Sequence, residues 1–268
     1  MHKLKKYGDW ALITGAATGL GREFVRAIAA QGLNCVAAGL EGDKLIRLAE
    51  EVRDKHGVQC RAIEIDLSAD DFLEQLLPQI DDIPVGMIVN NAGIGCGGAV
   101  ASRDPQRLTQ LVKLNCLAPV VLTRSLLPDM LRRGQGAVIF VSSLQGFISS
   151  PFYAAYCASK AFNLHFGESL WGELRKTPVD CITLCPAGMK TDFFRAEGFS
   201  KQDCDRIWKF SSDPAKLANL ALRKLGKKPV VSPPTTFFVS LLGRLMPRVW
   251  TLRASDKITR KLVKLERS

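Results

Sequence analysis

The sequence predicts an α/β protein: one doubly wound parallel sheet with helices on both faces, plus a basic helical extension at the C-terminus. Three observations carry this. Short apolar runs alternate with segments of helical periodicity along most of the chain, and such alternation implies right-handed crossovers between parallel strands. A glycine-rich turn follows the first apolar run and opens the first helix, which places it at the carboxyl end of a strand, where open α/β sheets bind ligands. The net charge of +11 is concentrated in residues 223–268, which hold twelve Lys/Arg against two acids.

The first strand is read over Trp10–Ile13. The helix after it sets Phe24, Val25, Ile28 and Ala29 on one side and Arg22, Glu23 and Arg26 on the other. Further strands are expected at Val36–Gly39, Cys60–Ile65, Gly86–Val89, Gly136–Val141 and Val179–Leu184, with helices over 43–56, 70–79, 104–131 and 154–176. Val230-Val231-Ser232-Pro233-Pro234 reads as a boundary, which divides the chain into a domain over 1–232 and an extension over 233–268. A length of 268 residues with 47% apolar content suits a single core under two helical layers.

The eight cysteines are scattered through expected strands and helices. Cys181 and Cys185 have no matching His or Cys pair, so a metal site is not expected, and reduced thiols in the cytoplasm are. The N-terminus has no signal-peptide h-region, so secretion is not expected. In the extension, Phe237–Trp250 is apolar with basic punctuation, and too few apolar residues precede Arg244 for the ~20 of a membrane span. The mixture favours an interfacial helix drawn to anionic lipid over a packed helix with a solvated basic face. Nucleic acid is not an expected partner, because no recognised module accompanies the charge.

Tyr156 and Lys160 stand at i, i+4 in a helical segment, and Ser143 lies thirteen residues before the tyrosine. The pair shares a helix face. A cation beside a phenol favours the phenolate and moves its pKa down from ~10, and a hydroxyl nearby can hold a substrate oxygen. This is equipment for moving a proton on and off an alcohol oxygen. Upstream, Thr14-Gly15-Ala16-Ala17-Thr18-Gly19-Leu20-Gly21 links a strand to a helix N-terminus. Glycines admit a pyrophosphate, and free N–H groups with the helix dipole favour the anion.

With these residues in hand, the chain resembles the short-chain dehydrogenase/reductase family over about residues 8–231, which implies a Rossmann-like sheet. Thr14–Gly21 matches its T-G-x-x-x-G-x-G, and Asn90-Asn91-Ala92-Gly93 its N-N-A-G segment beside the cofactor. Asp66-Leu67 resembles the acidic position that holds the adenine. Asn115 matches the tetrad asparagine, and Ser143, Tyr156 and Lys160 complete that tetrad. The thirteen-residue spacing selects Ser143 over Ser142, and Tyr153 lacks the i, i+4 relation to Lys160. Pro186-Ala187-Gly188-Met189-Lys190-Thr191 resembles P-G-x-x-x-T with its glycine displaced by one place, and Thr191 is expected at the carboxamide side of the nicotinamide.

The resemblance implies an NAD(P)-dependent oxidoreductase, with Tyr156 as proton donor, Ser143 as oxyanion partner, Lys160 on the nicotinamide ribose and Asn115 in the proton relay. The alternative is a catalytically silent nucleotide-sensing scaffold; sugar epimerisation is a further reading. Gly39, Leu40 and Glu41 after the second strand leave NAD against NADP open. Phe193, Phe194, Phe199, Trp208 and Phe210, with Phe147, Ile148 and Phe152, suggest an apolar pocket for a lipid-like ketone or alcohol: acyl, steroid or retinoid. The family also implies a homodimer or homotetramer through the two long helices.

Overall fold

The structure is a computed structural model that describes residues 3–191, 193–197, 200–208 and 211–262. Phe199 and Phe210, and the tail from 263 onward, lie outside the described residues. Seven strands form one parallel sheet in the order β3-β2-β1-β4-β5-β6-β7. These are β1 (Trp10–Thr14), β2 (Asn34–Gly39), β3 (Cys60–Glu64), β4 (Val85–Asn90), β5 (Gly136–Val141), β6 (Val179–Leu184) and β7 (Val230–Val231). The chain winds outward from β1 to β3, returns, and winds the other way from β4. The switch point between β1 and β4 is therefore where a ligand crevice is expected.

Successive strand residues face opposite sides, and this sorts the core into two layers. Ala11, Ile13, Cys35, Ala37, Val89 and Ile139 pack with Phe24 and Ile28 of α1 (Gly19–Ala29), Leu48 of α2 (Gly42–His56) and Ala218 of α9 (Pro214–Lys224). Leu12, Val36, Ile88, Val138 and Phe140 face the other layer. There they meet Leu76 of α3 (Phe72–Leu76), Leu122 of α5 (Ala118–Arg133) and Leu170 of α6 (Ala154–Leu174). Both layers hold fully buried aliphatic side chains, each worth about 1.5–3 kcal/mol of transfer free energy.

Three expectations are corrected. The helix read over 70–79 is only a short α3 followed by a 3-10 turn at Leu77–Gln79, where Pro78 cannot donate a backbone N–H to continue the ladder. The long helix read over 104–131 is present as Pro105–Arg133, but not as one regular α-helix: a π turn at Lys113–Leu117 joins α4 (Pro105–Val112) to α5. Val230-Val231, read as part of a boundary, is strand β7, with Thr183 opposite Val230 and Leu184 opposite Val231.

Pro105–Arg133 is the one helix among the described residues long and apolar enough to cross a membrane by length and composition. Here it lays Leu114, Ala118, Leu122 and Met130 on the sheet. Beyond β6 come α7 (Phe193–Ala196) and α8 (Lys201–Trp208). The 233–268 extension begins with a helical pair, α10 (Pro234–Leu245) and α11 (Arg248–Leu262), which lies across the mouth of the crevice.

Candidate active site

A cavity of about 940 Å³ runs along the carboxyl ends of the strands. At one end lie Gly15, Thr18, Gly19 and Leu20 with Asn91, Ala92 and Gly93. Ser143, Tyr156 and Lys160 lie in the same cavity, as do Pro186, Gly188 and Thr191. Of the other residues singled out in the sequence, Thr14, Gly21, Asp66, Leu67 and Asn115 stand behind or beside this wall rather than in it.

Thr14 ends β1 and is buried. Its hydroxyl donates to the Val89 carbonyl (3.2 Å) and accepts from the backbone N–H groups of Asn91 and Ala92, both at 3.0 Å. The Asn91 amide donates back to the Thr14 carbonyl at 2.8 Å. The two turns on either side of the switch point are thus fastened together. Asp66 accepts from the backbone N–H and hydroxyl of Ser68 (2.8 and 2.6 Å), closing the turn after β3.

Gly15 and Gly19 adopt φ of +61° and +53°, a region that L side chains rarely occupy. A Cβ on Gly21 would lie 2.1 Å from the Gly15 carbonyl oxygen and 2.6 Å from Asn91 Nδ2. Gly21→Ala is therefore expected to weaken nucleotide binding at least about tenfold by calorimetric titration, and to cost about 1–3 kcal/mol of stability. Gly172→Ala, at an exposed position of α6, is the control: its Cβ would meet nothing within 4 Å, and it should bind like the parent and melt no lower.

This cradle is the test of whether a dinucleotide fits. The first turn of α1 has no side-chain cap, so its backbone donors are left for an anion. The glycines keep the wall flat, and Thr191 closes over Gly19, where a Cβ would come within 3.0 Å of its Cγ2. A pyrophosphate suits these residues.

Asn115 sits in the π turn and is fully buried. Its Oδ1 accepts from the Ile94 N–H (2.9 Å), and its Nδ2 donates to the Ile94 carbonyl (2.9 Å) and to Ser159 Oγ (3.0 Å). A Cβ on Gly93 would lie 3.1 Å from Asn115 Oδ1 and 3.3 Å from Lys160 Nζ, so the three residues converge on one spot. Ser142 and Ser143 divide as strand alternation requires. Ser142 Oγ donates to the Lys160 carbonyl (2.6 Å), whereas Ser143 Oγ accepts from the Gln145 N–H (3.2 Å) and acts on the Tyr156 phenol.

The electrostatics differ from the sequence expectation. Burial holds the Tyr156 phenol above the ordinary tyrosine value, and the Ser143 hydrogen bond opposes this without cancelling it. Lys160 is itself buried. Its Nζ lies 5.7 Å from the tyrosine ring centre and donates to the Val141 carbonyl at 3.0 Å. Burial lowers the lysine itself from 10.5 to about 8, because a buried ammonium loses its hydration. The site therefore presents a protonated phenol, which is the state needed to give a proton to an oxygen.

Several cavity residues were given no part in the site by the sequence reading, which set Tyr153 aside. Tyr153 lies one helical turn before Tyr156, with ring centres 6.3 Å apart, and it lines the cavity; i, i+3 spacing was the available signal. Glu197 accepts from the Gly97 N–H (3.2 Å) and from Arg107 Nη2 (3.4 Å), pinning the segment after α7 to the loop after β4. Of the expected aromatic wall, Phe193 and Phe194 line the cavity with Ile148, whereas Phe147, Phe152 and Trp208 do not. Phe193 lies 5.7 Å from the Tyr156 ring. The remaining wall comes from α10 and α11, through residues such as Val239, Leu242, Met246 and Ile258.

Known proteins are similar to this chain in sequence and in fold. A very-long-chain 3-oxoacyl-CoA reductase of Aspergillus clavatus is 36% identical over 173 residues, which is 62% of this chain and 50% of that protein. The chain thus aligns with about half the length of that relative. A bovine (Bos taurus) dehydrogenase/reductase SDR family member 7B is 32% identical over 250 residues, covering 88% of this chain and 77% of its own. Among solved structures, a 7β-hydroxysteroid dehydrogenase superposes with TM-score 0.88 at 26% identity, over 95% of this chain and 99% of its own. A short-chain dehydrogenase from Sphingobium yanoikuyae in complex with NADPH gives TM-score 0.78 at 25% identity, over 88% and 92%. The family profile described as short chain dehydrogenase matches residues 9–201, and the chain belongs to that family.

Proposed function

We propose that this protein is an NAD(P)-dependent oxidoreductase acting on a carbonyl or secondary alcohol carbon of an apolar substrate. The observation that carries the reading is one cavity lined by the glycine cradle, by Ser143, Tyr156 and Lys160, and by an apolar wall. Bound nicotinamide would supply or accept the hydride. Gly15, Thr18, Gly19 and Leu20 would hold its pyrophosphate. Asp66 and Leu67 would meet the adenine, and Asn91, Ala92, Gly93, Pro186, Gly188 and Thr191 would flank the nicotinamide half.

In reduction, Tyr156 gives its phenolic proton to the substrate oxygen, and Ser143 donates to that same oxygen as charge develops. Lys160 would hold the ribose hydroxyls and refill the phenol, with Asn115 beside Gly93 as the fixed support of that relay. Phe193, Phe194 and Ile148 exclude water from the carbonyl. A lipid-like substrate agrees with this wall and with two proteins to which the chain is similar, a very-long-chain 3-oxoacyl-CoA reductase and a 7β-hydroxysteroid dehydrogenase.

Glu41 and Lys44 are ion-paired and both line the cavity, so neither sign of charge alone marks the cofactor's ribose. A homodimer or homotetramer belongs to this reading. The exposed Val112 and Leu117 beside α5 and Phe162 on α6 offer the apolar faces for it. All eight cysteines are free thiols, which agrees with a cytoplasmic, reducing setting.

The test is loss of nicotinamide absorbance with NADH and with NADPH, against acyl, steroid and retinoid ketones beside small polar ones. Turnover of the lipid-like set is expected. Preference for the small polar set would overturn the substrate class. Nucleotide binding without any turnover would leave a nucleotide-sensing scaffold.

A further inference from the structure

The α10–α11 pair is amphipathic in the wrong sense for a helix pair whose outer face meets only water. On α10 the face turned inward is small and partly polar: Thr236 is fully buried, Ser240 nearly so, and a Cβ on Gly243 would lie 2.7 Å from Ile148. The Thr236 hydroxyl has no hydrogen-bond partner among the described residues. The outward side carries Phe237, Phe238, Leu241 and Leu245, exposed by 54, 66, 43 and 76%. Val249 and Trp250 of α11 continue it, exposed by 56 and 61%. None of these six lines the cavity.

A soluble helix normally turns such residues to the core, and a contiguous apolar patch of this kind marks an interaction surface. Cations share the face. Arg253 and Lys257 are exposed, and they stand three and seven residues after Trp250 on the same side of α11. Residues 223–268 carry ten more positive than negative charges, so stacking this face on a second copy would bring two strongly basic surfaces together.

We propose that the outer face of α10–α11 docks on the surface of an anionic lipid bilayer, with Phe237, Phe238, Leu241, Leu245 and Trp250 in the acyl boundary and Arg253 and Lys257 at the headgroups. The apolar helix Pro234–Gly243 is too short to span, so the pair lies in the interfacial plane. The same two helices form a wall of the cavity on their inner side, through Val239 and Leu242 of α10 and Ala254 and Ile258 of α11. A docked molecule therefore separates its cavity from the bilayer by one helical layer. Docking stands independently of the catalytic reading; passage of a lipid-like substrate through that layer rests on it.

The experiment is flotation of the full chain with phosphatidylcholine vesicles, with and without about 30% phosphatidylserine. Trp250 emission is followed in the same vesicles carrying brominated acyl chains. Anionic vesicles should carry the protein, and Trp250 should blue-shift and be quenched, a signal absent in Trp250→Phe. Phe237→Ser/Phe238→Ser and Arg253→Glu/Lys257→Glu should each weaken binding at least about tenfold. The quenching in the parent does not depend on any variant folding.

Absence of binding to anionic vesicles, binding without Trp250 quenching, or unchanged binding in both double variants would each overturn the proposal. So would conversion of an oligomer to monomer by Phe237→Ser/Phe238→Ser, which would identify the face as a contact between copies. Nicotinamide turnover is measured separately, so failure of docking is distinguishable from failure of the catalytic reading.

Discussion

Tyr156→Phe is expected to lower kcat by about 10²- to 10⁴-fold, with nicotinamide affinity and melting temperature close to those of the parent. The phenyl ring keeps the packing against Tyr153 and Phe193, so only the hydroxyl is lost. That hydroxyl is held protonated by burial, with the Ser143 side chain acting on it in the opposite direction. Because the phenol sits above its ordinary value, the protonated form persists across neutral pH, and the reductive rate should be flat there until the alkaline limb. Stopped-flow measurement of nicotinamide consumption, beside calorimetric binding of the same nicotinamide, separates the two roles. Parent-like turnover would remove Tyr156 from the chemistry.

Lys160→Met should move activity and stability in opposite directions. Turnover falls on the order of 10²-fold or more as the ribose contact and proton supply go. The fold, by contrast, is relieved of a buried ammonium. The drop from 10.5 to about 8 corresponds to about 3 kcal/mol of unfavourable charge burial at neutral pH. Loss of the bond to the Val141 carbonyl offsets about 1 kcal/mol of the relief.

The sign follows from proton counting. Between pH 8 and 10.5 the unfolded lysine is protonated while the native one is not, so the parent gains stability as pH rises through that window. The variant should therefore melt higher than the parent at pH 7, and its advantage should shrink towards pH 10.5. Thermal melts at pH 7, 9 and 10.5 check this. A variant less stable than the parent at pH 7, with no convergence at high pH, would show that the ammonium is compensated.

Much of this molecule was legible before any coordinates. The central strands are almost wholly buried runs such as Ala11-Leu12-Ile13 and Val138-Ile139-Phe140, and buried parallel strands read as continuous apolar segments. Tyr156 and Lys160 were legible because a helix turns i, i+4 spacing into proximity. β7 was not, since two residues beside a proline pair carry too little pattern to separate a strand from a boundary. The Gly97–Glu197 and Arg107–Glu197 contacts join Glu197 to a loop and a helix about a hundred residues away, and no local periodicity encodes them. The pKa direction of Tyr156 was misjudged for a related reason. Spacing tells that a cation is near, but desolvation depends on everything packed around both groups.

The π turn at Lys113–Leu117 has a consequence for the whole long helix. One surplus residue in a single turn shifts the angular phase of everything after it relative to everything before. Upstream, Leu111 is keyed to the small cluster beneath Tyr153 and Tyr156; downstream, Leu122 and Met130 are keyed to the sheet. The surplus residue acts as a vernier between the rigid sheet and the reactive pocket, and Asn115 is set at its pivot.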